Sequence, residues 1–242
     1  MPVSLKNQIV LVVGASSGVG RATVLLLARE GARVMASARR AERLAQLQAE
    51  LAAEGHHIET FAADAADVRQ MERLAEVTRE KLGHPEILVY STGTNPKDRN
   101  LKRLGPAVWD ELVTTNLDGA FYIAQAILPA MREAGKGQLI FVSSISGQTP
   151  DVSGVAYQAS KRGLIGLSHG IRVEEKENGI RTCVVCPGLI DSELMEKRPV
   201  KPDPATLAKA LKPEDVAEVI LACAKLPPLV CVPEVTVVPT YL

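Results

Sequence analysis

Gln8-Ile-Val-Leu-Val-Val13-Gly14-Ala-Ser-Ser-Gly18-Val-Gly20 is the stretch on which the fold turns. Its first half is apolar and rich in β-branched residues, the pattern of a strand buried in a parallel sheet. Its second half is a glycine-rich turn. Arg21 to Glu30 then reads as a helix stopping at Gly31, because glycine accepts the left-handed conformation that ends helices. In that setting a turn can hold a dinucleotide. The glycines let the backbone approach a pyrophosphate, and the helix start offers unpaired N–H groups and a positive dipole end.

The same alternation runs on to Pro239. Ala32–Ser37 reads as a second strand and Ala41–Ala53, rich in Ala, Glu, Gln and Leu, as a helix. His57–Ala62 is a third strand. Asp67 is placed to cap a helix reaching about Leu82, with Gly83 ending it. Glu86–Ser91 is the fourth strand, and Pro106 suits the first turn of a long helix to Ala134, which Gly119 and Pro129 should perturb. Gly137–Ser143, a helix over Gly154–Asn178, Ile180–Cys186, a helix from Pro213 and a last strand Cys231–Val238 complete the chain. Seven strands separated by helices predict an α/β, doubly wound Rossmann fold with a parallel sheet covered on both faces. No linker interrupts the 242 residues, so one domain spanning 1–242 is expected.

Tyr157-Gln-Ala-Ser-Lys161 stands out downstream. Residues four apart share a helix face, so a phenol lies beside an ammonium. A fixed cation stabilises the phenolate and lowers its pKa, equipping the phenol to exchange protons.

The spacing G-x-x-x-G-x-G over Gly14, Gly18 and Gly20, with Tyr157 and Lys161 far downstream, resembles the short-chain dehydrogenase/reductase family over roughly residues 5–239. The resemblance implies a catalytic set of Ser144, Tyr157, Lys161 and Asn116. It implies cofactor contacts from Gly14, Ser16, Ser17, Gly18, Val19 and Gly20 of the turn. Further implied contacts are Arg39, Arg40, Asp64, Ala65, Gly93, Tyr157, Lys161, Pro187, Gly188, Ile190 and Ser192. Ser143 and Ser146 are alternatives to Ser144, and Asn116 could either hold a water near Lys161 or satisfy helix backbone. One motif departs: the family's Asn-Asn-Ala-Gly is Tyr90-Ser-Thr-Gly93 here, which puts local packing in question more than chemistry. The resemblance also implies a homodimer or homotetramer pairing the two long helices.

The second strand ends Ser37-Ala38-Arg39-Arg40. In such folds an acid near this point bonds the ribose hydroxyl of NAD, and an arginine receives the extra phosphate of NADP. Ala38 stands where the acid is usual and Arg39 follows, so NADP is the expected cofactor.

Lys+Arg 28 against Asp+Glu 28 gives no basic excess for nucleic acid or an anionic membrane. No apolar run is long enough for a membrane span, and the first residues lack a signal-peptide core, so a cytoplasmic protein is expected. Cys183 and Cys186 lie three apart on a strand, hence on opposite faces, and read as free buried thiols; no metal site is expected. The four histidines show no ligand or triad spacing.

Three loops should shape the substrate pocket: Thr94–Asn100, Ile145–Val155 and Asp191–Ala210, the last a lid. Lys97, Arg99, Lys102 and Arg103 read as a solvated basic face, with recognition of an acidic substrate as the alternative. The expected function is hydride transfer between NADP(H) and a small carbonyl or alcohol. Its alternatives are a non-enzymatic NADP-binding sensor or scaffold and a 3-oxoacyl-carrier-protein reductase. The C-terminal Glu234–Leu242 lacks the glycine-rich tail common in those reductases.

Overall fold

The apolar runs form the strands, all parallel: β1 (Ile9–Val13), β2 (Arg33–Ala38), β3 (Glu59–Ala62), β4 (Ile87–Tyr90), β5 (Gly137–Val142), β6 (Ile180–Pro187) and β7 (Glu234–Val237). The computed structural model describes residues 2–241; Met1 and Leu242, the two ends of the expected domain, lie outside them. The strand order is β3-β2-β1-β4-β5-β6-β7. The chain therefore builds outward from β1 in one direction, then returns to its other side, where Val13 pairs in register with Tyr90. That reversal opens a crevice at the carboxyl ends of β1 and β4, where such sheets bind ligands.

Alternating strand side chains feed two cores. Val10, Val12 and Val34 pack with Val24 and Leu27 of α1 (Gly18–Arg29), Leu44, Leu47 and Leu51 of α2 (Ala41–Ala53), and Val216 and Ile220 of α8 (Pro213–Ala224). Leu11, Leu88 and Leu139 pack on the other face with Met71 and Leu74 of α3 (Val68–Lys81), Ile123 and Ile127 of α5 (Gly119–Ala134), and Leu164 of α6 (Val155–Glu175). Cys183 and Cys186 divide between the two cores, both buried free thiols, as their spacing predicts. Asp67 caps α3 by accepting from the Arg69 and Gln70 amides.

Four boundaries differ from the sequence expectation. First, α1 starts at Gly18 rather than Arg21, so Gly18 and Gly20 belong to its first turn. Second, the long helix is not uniform. α4 (Pro106–Val113) passes through a π-helical turn, Thr114–Asp118, into α5. The perturbation falls just before Gly119, whereas Pro129 sits inside α5 without ending it, held by the buried Ile127, Leu128 and Met131 around it. Third, α6 gives way after Glu175 to a short 3-10 turn, and β7 is only four residues long. Fourth, the lid segment is not irregular throughout: Glu193–Lys197 forms a 3-10 turn and Pro204–Lys209 forms α7, started by Asp203 accepting from the Thr206 amide.

The unusual Tyr90 explains the π turn. Its ring is fully buried and its hydroxyl donates to the Thr115 carbonyl at 2.6 Å. Gly119 leaves the room: a β-carbon there would lie 2.5 Å from the Tyr90 hydroxyl and 2.4 Å from the Ala65 carbonyl oxygen. The departure from the family motif is thus absorbed by packing. Among the described residues no helix is long and apolar enough to cross a membrane, and no His, Cys, Asp or Glu cluster could hold a metal ion.

Candidate active site

Two adjoining cavities occupy the crevice. The deeper, about 450 Å³, is lined by Ser144, Tyr157 and Lys161 on one side and by Gly18, Val19, Pro187, Gly188, Ile190 and Ser192 on the other. The second, about 530 Å³, is lined by Gly14, Ser16, Ala38, Arg39, Arg40, Asp64 and Ala65. Ser17 and Gly93 border both.

The turn after β1 is built for close approach. Gly14 has φ +96°, and a β-carbon on it would lie 2.7 Å from Ser91 backbone. Gly20 faces inward: its β-carbon would lie 2.2 Å from the Gly14 carbonyl oxygen, so it packs helix against turn and lines neither cavity. α1 has no side-chain cap and no acid in its first turn. Its leading N–H groups and positive end therefore face the cavity free for an anion. A pyrophosphate fits this cradle. Beside it, Ala38 leaves room where an acid would repel a phosphate, and two arginines stand near. Arg40 donates to the hydroxyls of Ser16 and Ser17 and to Glu193. Arg39 is exposed and lies 3.7 Å from Asp64.

The catalytic candidates come from β5 and α6. Ser143 donates to the Lys161 carbonyl, and Ser146 donates to Asp151. Ser144 lines the deeper cavity with Tyr157 and opposes the rise in its pKa, while its hydroxyl donates to that of Ser146 at 3.2 Å. Lys161 is buried, with Nζ 5.7 Å from the centre of the Tyr157 ring and donating to the Val142 carbonyl at 3.0 Å. Gly93 leaves space for it, since a β-carbon there would stand 3.1 Å from Nζ. Burial pulls the Lys161 pKa down to about 8. Tyr157 goes the other way: burial raises its pKa, opposed by Ser144, Arg198 and Arg99. The sequence-based expectation that Lys161 lowers the phenol's pKa is not what this geometry gives. Desolvation outweighs the nearby charges, and the closest relief comes from Ser144 and the two arginines.

Asn116 lies outside the cavities. Its amide accepts from the Thr94 N–H at 2.8 Å and donates to the Thr94 carbonyl and the Ser160 hydroxyl, each at 3.0 Å. It makes no hydrogen bond to Lys161 among the described residues; it braces the strand β4 exit loop against α6.

The sequence model of the short chain dehydrogenase family matches residues 8–202. The chain belongs to the short-chain dehydrogenase family. It is 33% identical over 225 residues to the 3-oxoacyl-[acyl-carrier-protein] reductase FabG of Thermotoga maritima, covering 91% of each chain. It is also 33% identical over 187 residues, 76% of this chain and 72% of the other, to a 7alpha-hydroxysteroid dehydrogenase of Bacteroides fragilis. Among solved structures, a metagenomic short-chain oxidoreductase in complex with NADP superposes with a TM-score of 0.85 at 31% identity, covering 98% of this chain and 99% of that one.

Several further residues of this family member's crevice come from the three loops expected to shape the pocket. Arg99, expected on a solvated face, turns into the deeper cavity together with Arg198, Asn95, Asp151 and Ser153. Only Arg103 of that basic group is tied off at the surface, to Asp98 at 2.6 Å. Glu193 reaches from the lid to Arg40 and Arg43. The loops are legible in the sequence; which of their side chains turn inward depends on contacts such as that of Arg99 with the Lys197 carbonyl.

Proposed function

We propose that the chain is an NADP-dependent oxidoreductase that interconverts a small carbonyl compound and its alcohol, with Tyr157 as the proton donor and acceptor. The observation that carries this reading is the convergence of Ser144, Tyr157 and Lys161 on one cavity continuous with the glycine cradle. NADP(H), when bound, supplies or accepts the hydride. The Gly14–Gly20 turn and the α1 start would hold the pyrophosphate, Arg39 and Arg40 the adenosine phosphate, and Pro187, Gly188, Ile190 and Ser192 the nicotinamide end.

The chain's own groups then handle the oxygen and its proton. Ser144 donates to the substrate oxygen and stabilises charge developing there. Tyr157, with its pKa raised by burial, stays protonated at neutral pH and is a ready donor to that oxygen during reduction. Lys161 sits beneath the phenol and stabilises its anion once the proton has left. Asn116 is a positioning residue, fixing Thr94 at the cavity edge.

The test is oxidation of NADPH or NADH against a panel of ketones and aldehydes. NADPH is expected to give the higher kcat/KM. Tyr157→Phe, which keeps the ring and loses the proton, is expected to cut kcat by at least about 10²-fold, the usual share of a positioned acid. It should leave NADPH affinity intact. Near-normal turnover by that variant would overturn the assignment. A 3-oxoacyl thioester is a second substrate class worth including, on the 33% identity to the Thermotoga maritima reductase. A purely nucleotide-binding scaffold would bind NADPH and turn over nothing in the panel.

A further inference from the structure

Arg99 and Arg198 line the deeper cavity alongside Tyr157 and Ser144, one from the loop after β4 and the other from the lid. Both share the cavity wall with the phenol, and their charges favour its anion. Neither guanidinium makes an ion pair among the described residues. Arg99 donates only to carbonyls, those of Pro96 at 3.1 Å and Lys197 at 2.7 Å. These bonds orient it without neutralising it. Burial and the repulsion of Arg198 lower its pKa, against the opposing pull of Tyr157 and Asp151.

Two acids line this cavity, Asp151 and Glu193, and Glu193 is already paired with Arg40 and Arg43. Asp151 accepts from the hydroxyls of Ser146 at 2.5 Å and Ser153 at 3.1 Å, and from the Ser153 amide at 2.8 Å. With Glu193 paired to Arg40 and Arg43 and Lys161 set against the phenol ring, Arg99 and Arg198 facing Asp151 leave one positive charge in excess on this side of the cavity. A singly charged anion balances that; a phosphate monoester would overshoot it. Arginine's planar fork matches a carboxylate in two parallel hydrogen bonds. The room shared with a nicotinamide, about 450 Å³, limits the partner to a small molecule.

We propose that the substrate is a small hydroxy or oxo carboxylic acid whose carboxylate is received by Arg99 and Arg198 while its hydroxyl or carbonyl oxygen meets Ser144 and Tyr157. This rests on the oxidoreductase reading above and deepens it. It makes the two arginines specificity-determining residues and gives the lid a purpose. The anion draws Arg198 and the segment that carries it over the reacting carbon, excluding water.

The test pairs each of a set of short 2- and 3-hydroxy carboxylates with its methyl ester, which keeps the alcohol and removes the charge. kcat/KM is measured with NADP+ and NAD+ on the wild type, Arg198→Gln and Arg99→Gln. A charge-assisted contact corresponds to a preference of about 10- to 100-fold for acid over ester. In Arg198→Gln that ratio is expected to fall toward one. Arg198→Gln is the deciding variant, since Arg99 also ties its loop to Lys197. Equal use of acid and ester by the wild type, or a ratio unmoved by Arg198→Gln, overturns the proposal. Calorimetry on Tyr157→Phe with NADP+ separates the two readings if nothing is turned over. Acid binding that Arg198→Gln weakens upholds the carboxylate site and removes only the oxidoreductase assignment. Binding of neither acid nor ester overturns the carboxylate site itself.

Discussion

Lys161 carries the sharpest tension at the residue scale. It is 4% exposed and faces no carboxylate; its one hydrogen bond goes to the Val142 carbonyl. Burying an ammonium in this way costs stability unless it sheds its proton. Its folded pKa of about 8 lies below the ordinary 10.5. Below about pH 8 both folded and unfolded chains hold the proton, and the folded one bears the full desolvation cost. Between about 8 and 10.5 the unfolded chain holds the proton and the folded chain does not, so stability rises with pH. Lys161→Met should therefore melt above the wild type at pH 7, in nucleotide-free protein. The gap should narrow as pH climbs through that window. Scanning calorimetry from pH 6.5 to 10.5 checks this, and a gap independent of pH would show that the ammonium is not desolvated in solution. The three serines around this lysine make a related point. Ser143, Ser144 and Ser146 are chemically equivalent in sequence and separate only through their surroundings: Ser143 donates to the Lys161 carbonyl, Ser146 to Asp151, and Ser144 lines the cavity with Tyr157.

Among the elements, the joint between α4 and α5 shows what local pattern can and cannot reveal. Strand, glycine turn and helix over Gln8–Glu30 could be read because buried β-branched runs and glycine punctuation are local signals. The π turn could not, because its cause is tertiary: Tyr90 from β4 satisfies the Thr115 carbonyl, and Asn116 turns to the Thr94 backbone. α7 was hidden for another reason. Three prolines in 199–204 read as irregular, yet Pro204 occupies the first helical turn, where no N–H is needed. The inward turn of Arg99 depends on a lid carbonyl far along the chain. The Tyr90 account is testable. Tyr90→Phe removes the hydroxyl that donates to the Thr115 carbonyl at the π turn, and losing a buried hydrogen bond costs about 0.5–1.5 kcal/mol. Urea unfolding should show a loss in that range. An unchanged midpoint would mean that the turn is held by Asn116 and Gly119 packing alone.

Across the whole molecule, the sheet's reversal between β1 and β4 sets two half-sites side by side, and the 191–210 segment bridges them. Glu193 grips Arg40 at the cavity beside the glycine turn, while the Lys197 carbonyl accepts from Arg99 at the cavity that holds Tyr157. The opposite surface raises a separate question. α4, α5 and α6 adjoin one another on the outer layer and leave large apolar side chains in water: Trp109, Phe121 at 44%, Val155 and Val173 at 59%. Single exposed apolar residues are ordinary, whereas several on adjoining helices mark a surface that gains by being covered. Self-association through these helices is the expected outcome, and closed two-fold pairing is the usual form. Phe121→Glu places a charge at the centre of that layer and should shift the protein to monomer in sedimentation velocity at micromolar concentration. The fold should survive, because the Phe121 side chain takes no part in either core. A sedimentation coefficient unchanged by the substitution would exclude this face as the contact between copies. A wild-type chain that stays monomeric at high concentration would show that the apolar layer serves something other than self-pairing.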